Sequence, residues 1–152
     1  MSDTISSINT KLYLTSIASA NEIGGVLDIS GPGFSRDVID TTNHSTSSQF
    51  KENIVSRWDG GEVTFDLNWD PRDSNHQHFT NEITSSPAAD DPNTYVLRFP
   101  SETDASTFAS ITFTAHVTNF QPALPVEGVV RASITLRVTG APTFNANDTT
   151  TP

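Results

Sequence analysis

From Glu62 to Asp70 apolar and polar side chains alternate without a break. Val63, Phe65, Leu67 and Trp69 fall on one face, and Glu62, Thr64, Asp66, Asn68 and Asp70 on the other. A period of two marks a strand with one dry face and one wet, acidic face. The pattern recurs near the end of the chain. There Val130, Ala132, Ile134, Leu136 and Val138 alternate with Arg131, Ser133, Thr135, Arg137 and Thr139. Phe108 to Phe120 alternates as well, with Ile111, Phe113, Ala115 and Val117 set against Ser110, Thr112, Thr114, His116 and Thr118. Sheets built this way keep a polar second face, fit for a solvent wall, a binding platform or a channel lining.

The remaining elements follow from shorter signals. Lys11 to Ile17 reads as a strand with Leu12 and Leu14 or their neighbours inward, and Ile23 to Ser30 as a second. Gly31-Pro32-Gly33 marks a turn, so Phe34 to Thr42 reads as the return strand. Residues 43–59 form a long polar loop, which in a compact domain usually has a function. Its Phe50, Ile54, Val55 and Trp58 are too apolar for a free linker. Asp73 or Ser74 predicts a helix N-cap, with Phe79 and Ile83 four apart on one face and an end near Ser85, before Pro87. Tyr95 to Phe99 is a short strand, Gln121 to Pro125 a link, and residues 141–152 a polar tail. The sum is one mainly-β domain, a two-sheet sandwich or barrel of six or seven strands with one flanking α-helix. The boundaries are an N-terminal arm over 1–10, the domain over 11–142 and a C-terminal tail over 143–152.

Composition narrows the class. The chain is one domain long at 152 residues, with an apolar share of 34% and a mean hydropathy of -0.33. It has no cysteine, which removes disulfides, thiolate catalysis and zinc-thiolate sites. No run reaches the ~18 apolar residues of a membrane span. Met1 to Ser7 lacks the basic and apolar regions of a signal peptide, so the expected compartment is the cytosol in which the chain is made. Eight basic against 18 acidic residues give a net charge of -10. Such a surface gains nothing from phosphates, because binding nucleic acid requires Lys and Arg to displace counterions.

Candidate chemistry is thin. His76 and His78 are two apart, which on a helix puts them on different faces, and no third ligand completes a metal set. Asp70, Asp73, Asp90 and Asp91 lack EF-hand spacing and sit in turns, where Asp is common. Neither a Gly-x-Ser-x-Gly elbow nor a Gly-rich phosphate loop occurs. Trp58 and Trp69 could form a sugar platform, but Trp69 lies on the dry face of its strand and reads as core. The expectation is a protein with no catalytic residues, no metal and no cofactor.

The order of segments resembles the major tail (tail tube) proteins of long-tailed, lambda-like bacteriophages. Gly24 to Pro32 is followed by Asp37 to Thr42, then by a loop holding Lys51-Glu52. Next come Trp58 to Pro71, the helix, Tyr95 to Pro100 and Val126 to Pro142. In that family Asp-x-Thr, Lys-Glu, Asp-Gly-Gly, a long alternating strand and a closing Val-Thr-Gly-x-Pro recur in this order. The resemblance covers residues 12–142. Some relatives carry an extra immunoglobulin-like domain; a short tail stands here instead, so no decorating module is expected.

The resemblance implies a structural virion protein of the tail. Six copies form a ring, and rings assembled in the host cytoplasm stack into the tube that conducts DNA. Each subunit gives an inner sheet of four strands, and the ring closes them into a barrel of about 24. Strands ~4.8 Å apart and tilted ~45° give a backbone radius of roughly 26 Å and a bore of roughly 40 Å, wider than a duplex. The implied partners are further copies of the chain, the tape-measure protein and the tail-tip or tail-terminator proteins. DNA passes without specific binding, and no membrane is involved. Candidates for the bore are Glu62, Thr64, Asp66 and Asn68, then Thr112, Thr114, Ser133 and Thr135; the opposite orientation is the rival. Candidates for contact between subunits are Phe50, Lys51, Glu52, Ile54 and Trp58. Alternatives are a carbohydrate-binding β-sandwich, a secreted fibre subunit, or the tube of a related contractile injection system.

Overall fold

The computed structural model describes residues 10–45, 47, 49–85, 92–99 and 108–150. Its strands are β1 (Lys11–Leu14), β2 (Val26–Ser30), β3 (Val38–Asp40), β4 (Asn53–Val55), β5 (Glu62–Asn68), β6 (Asn93–Phe99), β7 (Phe108–Ala123) and β8 (Arg131–Asp148). One helix, α1 (Ser74–Thr84), lies between β5 and β6. Six strands form an antiparallel sheet in the order β1-β6-β7-β8-β5-β2, and β3 and β4 form a small sheet of their own. The protein is mainly β, as its alternating segments predict.

The dry face of the large sheet carries the core. Val63, Phe65 and Leu67 of β5 lie beside Ile134, Leu136 and Val138 of β8, then Phe113 and Ala115 of β7, Tyr95 and Leu97 of β6 and Leu12 of β1, all buried. Helix α1 covers this face. Its Phe79 is fully buried and meets the Phe65 ring edge-on at 5.8 Å. The helix starts where Asp73 accepts hydrogen bonds from the amides of Asn75 and His76, replacing partners that a first turn lacks. It stops at Ser85, whose amide reaches back to Asn81 while its own backbone turns extended. Phe79→Ala leaves a cavity under the helix and is expected to cost about 3–5 kcal/mol in urea unfolding. Ile83 is 58% exposed, contrary to the expectation that it shares the buried face with Phe79. Of the helix's side chains only His76 and Phe79 are buried.

A second cluster covers the other face at the β1–β6 corner. Tyr13, Ile17, Val96 and Phe108 are buried there, and the Arg98 guanidinium lies 3.8 Å over the Phe108 ring. At this corner the sheet is dry on both faces.

Several boundaries differ from the sequence reading. Phe34 to Thr42 does not return along β2. Strand β2 pairs with β5 instead, Ile29 opposite Phe65 and Ser30 opposite Thr64, which extends the dry face by one strand. The end of that segment, β3, pairs with β4, matching Val38 to Val55 and Ile39 to Ile54. Residues 43–59 are therefore not all loop, since they include β4. Strand β7 runs through the assumed link to Ala123, and β8 runs through most of the assumed tail to Asp148. The tail portion holds because β7 is long enough to pair it, down to Phe108 opposite Asp148, with the Ser110 hydroxyl donating to the Asp148 carboxylate at 2.8 Å. The proposed arm over 1–10 lies, Thr10 apart, outside the described residues, as do Asp90 and Asp91.

Candidate assembly surfaces

Strand β6 ends where Asn93 pairs with Ala115. Below that point, from His116 to Ala123, β7 has β8 on one side and, among the described residues, no strand on the other. At the far margin β2 has β5 on one side only. The lower half of the sheet is thus a four-stranded ribbon, β2-β5-β8-β7, with two open edges.

The ribbon's polar face is set by register. Glu62 stands opposite Arg137, which stands opposite His116. The next rows are Thr64, Thr135 and Asn119, then Asp66, Ser133 and Gln121. The Ser133 hydroxyl donates to Asp66 at 2.6 Å. Asp28, Ser30, Thr64, Asp66, Ser133 and Thr135 line a shallow hollow of about 310 Å³ on this face. Asn68 is half-buried at the ribbon's end, opposite Arg131. Thr112 and Thr114 share the face but sit higher on β7, where β6 flanks it, and the Thr114 hydroxyl is turned onto the carbonyl of Thr139 at 2.6 Å. The face is mixed in charge: Arg131 and Arg137 stand among Glu62, Asp66 and Asp28. Arg137 forks onto both oxygens of Asp59, at 2.7 and 2.9 Å. The Gly61 amide first, and Arg137 second, hold that carboxyl below its usual range.

A bulge keeps the two faces separate. Val117 pairs with Leu136 but Asn119 with Thr135, so Thr118 is the extra residue and the alternation changes phase. Phe120, which simple alternation puts on the wet side, thereby reaches the core and meets Trp69 edge-on at 5.5 Å.

The β3–β4 hairpin stands out from the body with apolar side chains on both of its faces. Val38, Ile39, Ile54 and Val55 are all exposed. Phe50 and Lys51 are exposed at its turn, and Glu52 is tied across to Thr42, whose hydroxyl accepts from the Glu52 amide at 2.9 Å. A two-stranded hairpin of this size is marginal in water by itself. At its root Ser35 and Asp59 exchange backbone hydrogen bonds of 2.9 and 2.7 Å. Beside that root lies a cleft of about 740 Å³ lined by Phe34, Trp58, Val138, Pro142 and Phe144. Trp58 is 63% exposed, with the Arg36 guanidinium 4.4 Å over its ring. Trp58 and Trp69 flank opposite ends of β5 and build no common platform.

The histidines have structural partners. His76 accepts from the Asp70 amide through Nδ1 at 2.9 Å, which leaves Nε2 to donate to the Gly24 carbonyl at 2.7 Å. His78 Nε2 lies 3.0 Å from the Tyr95 hydroxyl. Among the described residues no group of three potential ligands could hold a metal ion. No described helix is long and apolar enough to cross a membrane, which says nothing of strands. Burial lowers the His78 pKa below its ordinary 6.5, against an opposing pull from Glu82. The unfolded chain therefore takes this proton first as pH falls. Stability should decline as pH drops from about 6.5 through the folded value, and His78→Gln should flatten that slope in thermal melts.

Comparison with known proteins bears on these surfaces. Several solved structures share the fold at low identity. A chain of the PVC sheath-tube complex in the extended state, from an extracellular contractile injection system, superposes with TM-score 0.72 at 11% identity, covering 94% of this chain and 92% of that one. The SPP1 tail tube matches with TM-score 0.57 at 14% identity, covering 94% and 80%. The tail of an empty GTA particle, refined with C6 symmetry, matches with TM-score 0.57 at 12% identity, covering 89% and 96%. No curated protein sequence matches significantly. The family model for the lambda phage tail tube protein, however, matches residues 9–145. The chain belongs to the lambda phage tail tube protein family, and its role is that of a structural tube subunit.

Proposed function

We propose that six copies close their ribbons edge to edge into a ring, and that stacked rings form the conduit for DNA in a phage tail. The observation that carries this is the four-stranded ribbon with two open edges. Six such ribbons make a barrel of about 24 strands, and closure removes edges that otherwise invite aggregation.

The same geometry favours one orientation. A barrel of this size has a backbone radius of roughly 26 Å. A helix layer about 10 Å thick on its inner side would leave a passage barely as wide as a duplex. With α1 outside, the polar face turns inward. Glu62, Thr64, Asp66, Asn68, Ser133 and Thr135 then line the bore, joined by Asn119, Gln121 and Arg131. Thr112 and Thr114 belong to the flank beside β6. Arg137 is held by Asp59, and Asp66 stands one row from Arg131, so the lining offers DNA no run of cations to displace its counterions. The β3–β4 hairpin, with Phe50, Lys51, Glu52, Ile54 and Trp58 in or beside it, docks on a neighbouring subunit. Tape-measure and terminator or tip proteins would meet the assembled tube, whose place is the virion tail.

The test is direct. Purified protein at high concentration, given a tail-tip or tape-measure nucleus, is examined by negative-stain microscopy. Rings with sixfold views and tubes of uniform bore are expected. Protein that stays monomeric under these conditions contradicts the proposal.

A further inference from the structure

The β7–β8 hairpin ends in an apolar tip. Leu124 is 71% exposed, Val126 105% and Val129 57%, and Pro125 lies between the first two. A tip this apolar facing water asks for a cover. Farther along β8 lies the apolar cleft already described. Val138, Gly140, Pro142 and Phe144 of β8 form its floor, with Phe34 and Trp58 as its walls. From Arg131 to Thr139 the ribbon spans roughly 26 Å at the usual rise per residue. Knob and hollow are therefore far apart on one subunit and cannot meet within it.

Charge follows the same division. Glu127 sits on the tip, next to Val126. Arg36 stacks on Trp58 at the rim of the cleft, while Arg137 and Asp59 both line it and pair with each other. Glu127 shares the base of the tip with Arg131, and Arg137 is matched by Asp59, so the complementary charges left to face each other are the Glu127 carboxylate on the tip and the Arg36 guanidinium at the rim of the cleft.

We propose that the Leu124–Val129 tip of one copy inserts into the Phe34–Trp58–Phe144 cleft of a second copy, with Glu127 turned towards Arg36. Unlike patches far apart along one subunit make a head-to-tail contact. Such a contact does not saturate at a pair but repeats without limit. It supplies an axial joint between rings, distinct from the edge-to-edge pairing within a ring and seated at the root of the β3–β4 hairpin, where Trp58 serves it. The inference rests on the tube reading above.

The chain has no cysteine, which permits a clean cross-linking test. Val126→Cys and Phe144→Cys are introduced together, tubes are assembled under reducing conditions, and they are then oxidised or treated with a short bismaleimide. A ladder of covalent oligomers on a denaturing gel is expected from the double variant, and monomers from each single variant. Separately, Val126→Asp should leave rings intact while mean tube length falls by roughly tenfold or more, the effect of losing one buried contact per joint. Normal tubes that give no ladder overturn the proposal and leave the tube reading standing, as do Val126→Asp tubes of full length. Dimers from Val126→Cys alone indicate tip-to-tip contact and overturn it too. Unmodified protein that never forms rings or tubes overturns both readings.

Discussion

Replacing Ile39 and Ile54 together by aspartate should give a folded monomer that makes no tubes. These side chains face each other across the β3–β4 hairpin and are exposed in the isolated subunit. They take no part in either buried cluster. Folding therefore loses little when they change. Assembly loses much, because each one buried against a neighbour stabilises the contact by about 1.5–3 kcal/mol. Two lost contacts weaken association by at least a hundredfold, at about 1.4 kcal/mol per factor of ten, before the cost of burying new charges is counted. Circular dichroism and a melt should match the unmodified protein within a few degrees, while sedimentation finds only the monomer. Tubes of normal length from the double variant would mean that the hairpin lies on an outer, solvated surface.

The second large effect concerns the proposed bore. Glu62→Lys with Asp66→Lys changes each subunit by about +4 and a ring of six by about +24, by counting charges. Both side chains are exposed on the ribbon's polar face, so the subunit should still fold, with only the Ser133 hydrogen bond to Asp66 lost. New lysines beside Arg131 and Arg137 would neutralise phosphates and release counterions, so that a wall which slid past DNA would hold it. Particles of normal appearance should eject their DNA slowly, and more slowly still at low ionic strength, where screening is weak. Ejection timed with a DNA-binding dye over a salt series reads this directly. Rates unchanged at every salt concentration would place this face outside the bore.

Much of the architecture could be read from local pattern. The alternation of Val63, Phe65 and Leu67 identified β5 and its dry face, and Asp73 identified the start of α1. Pairing was harder, because it is decided by contacts distant in sequence. Gly31-Pro32-Gly33 suggested a hairpin between its neighbours, yet β2 gains more by lengthening the dry sheet beside β5 than by folding back. The phase change at Thr118 was hidden for a related reason. A bulge is visible only against the partner strand, and here β8 defines it. The end of β8 has a polar, Thr- and Asn-rich composition typical of tails, and only the length of β7 makes it a strand. Of the surfaces, the wet rows on β5 and β8 were legible as rows. The cleft was not, since Phe34, Trp58 and Phe144 come from three separate segments.

Pro122 lies in the part of β7 that has β8 on one side only. Proline offers no amide hydrogen, and in sheets it is confined to such margins. One donor is thereby missing from the edge that a neighbouring ribbon joins in the proposed ring. Two stray subunits meeting there form an imperfect seam, and the bulge at Thr118 twists the strand further out of line. A seam that is poor in isolation and adequate in a closed circle makes the first ring the difficult event. Polymerisation should then show a lag and a sharp critical concentration, and short fragments of finished tube should abolish the lag. A cell could accumulate subunits without spontaneous fibres, and the timing of tail growth would belong to whatever supplies the first circle.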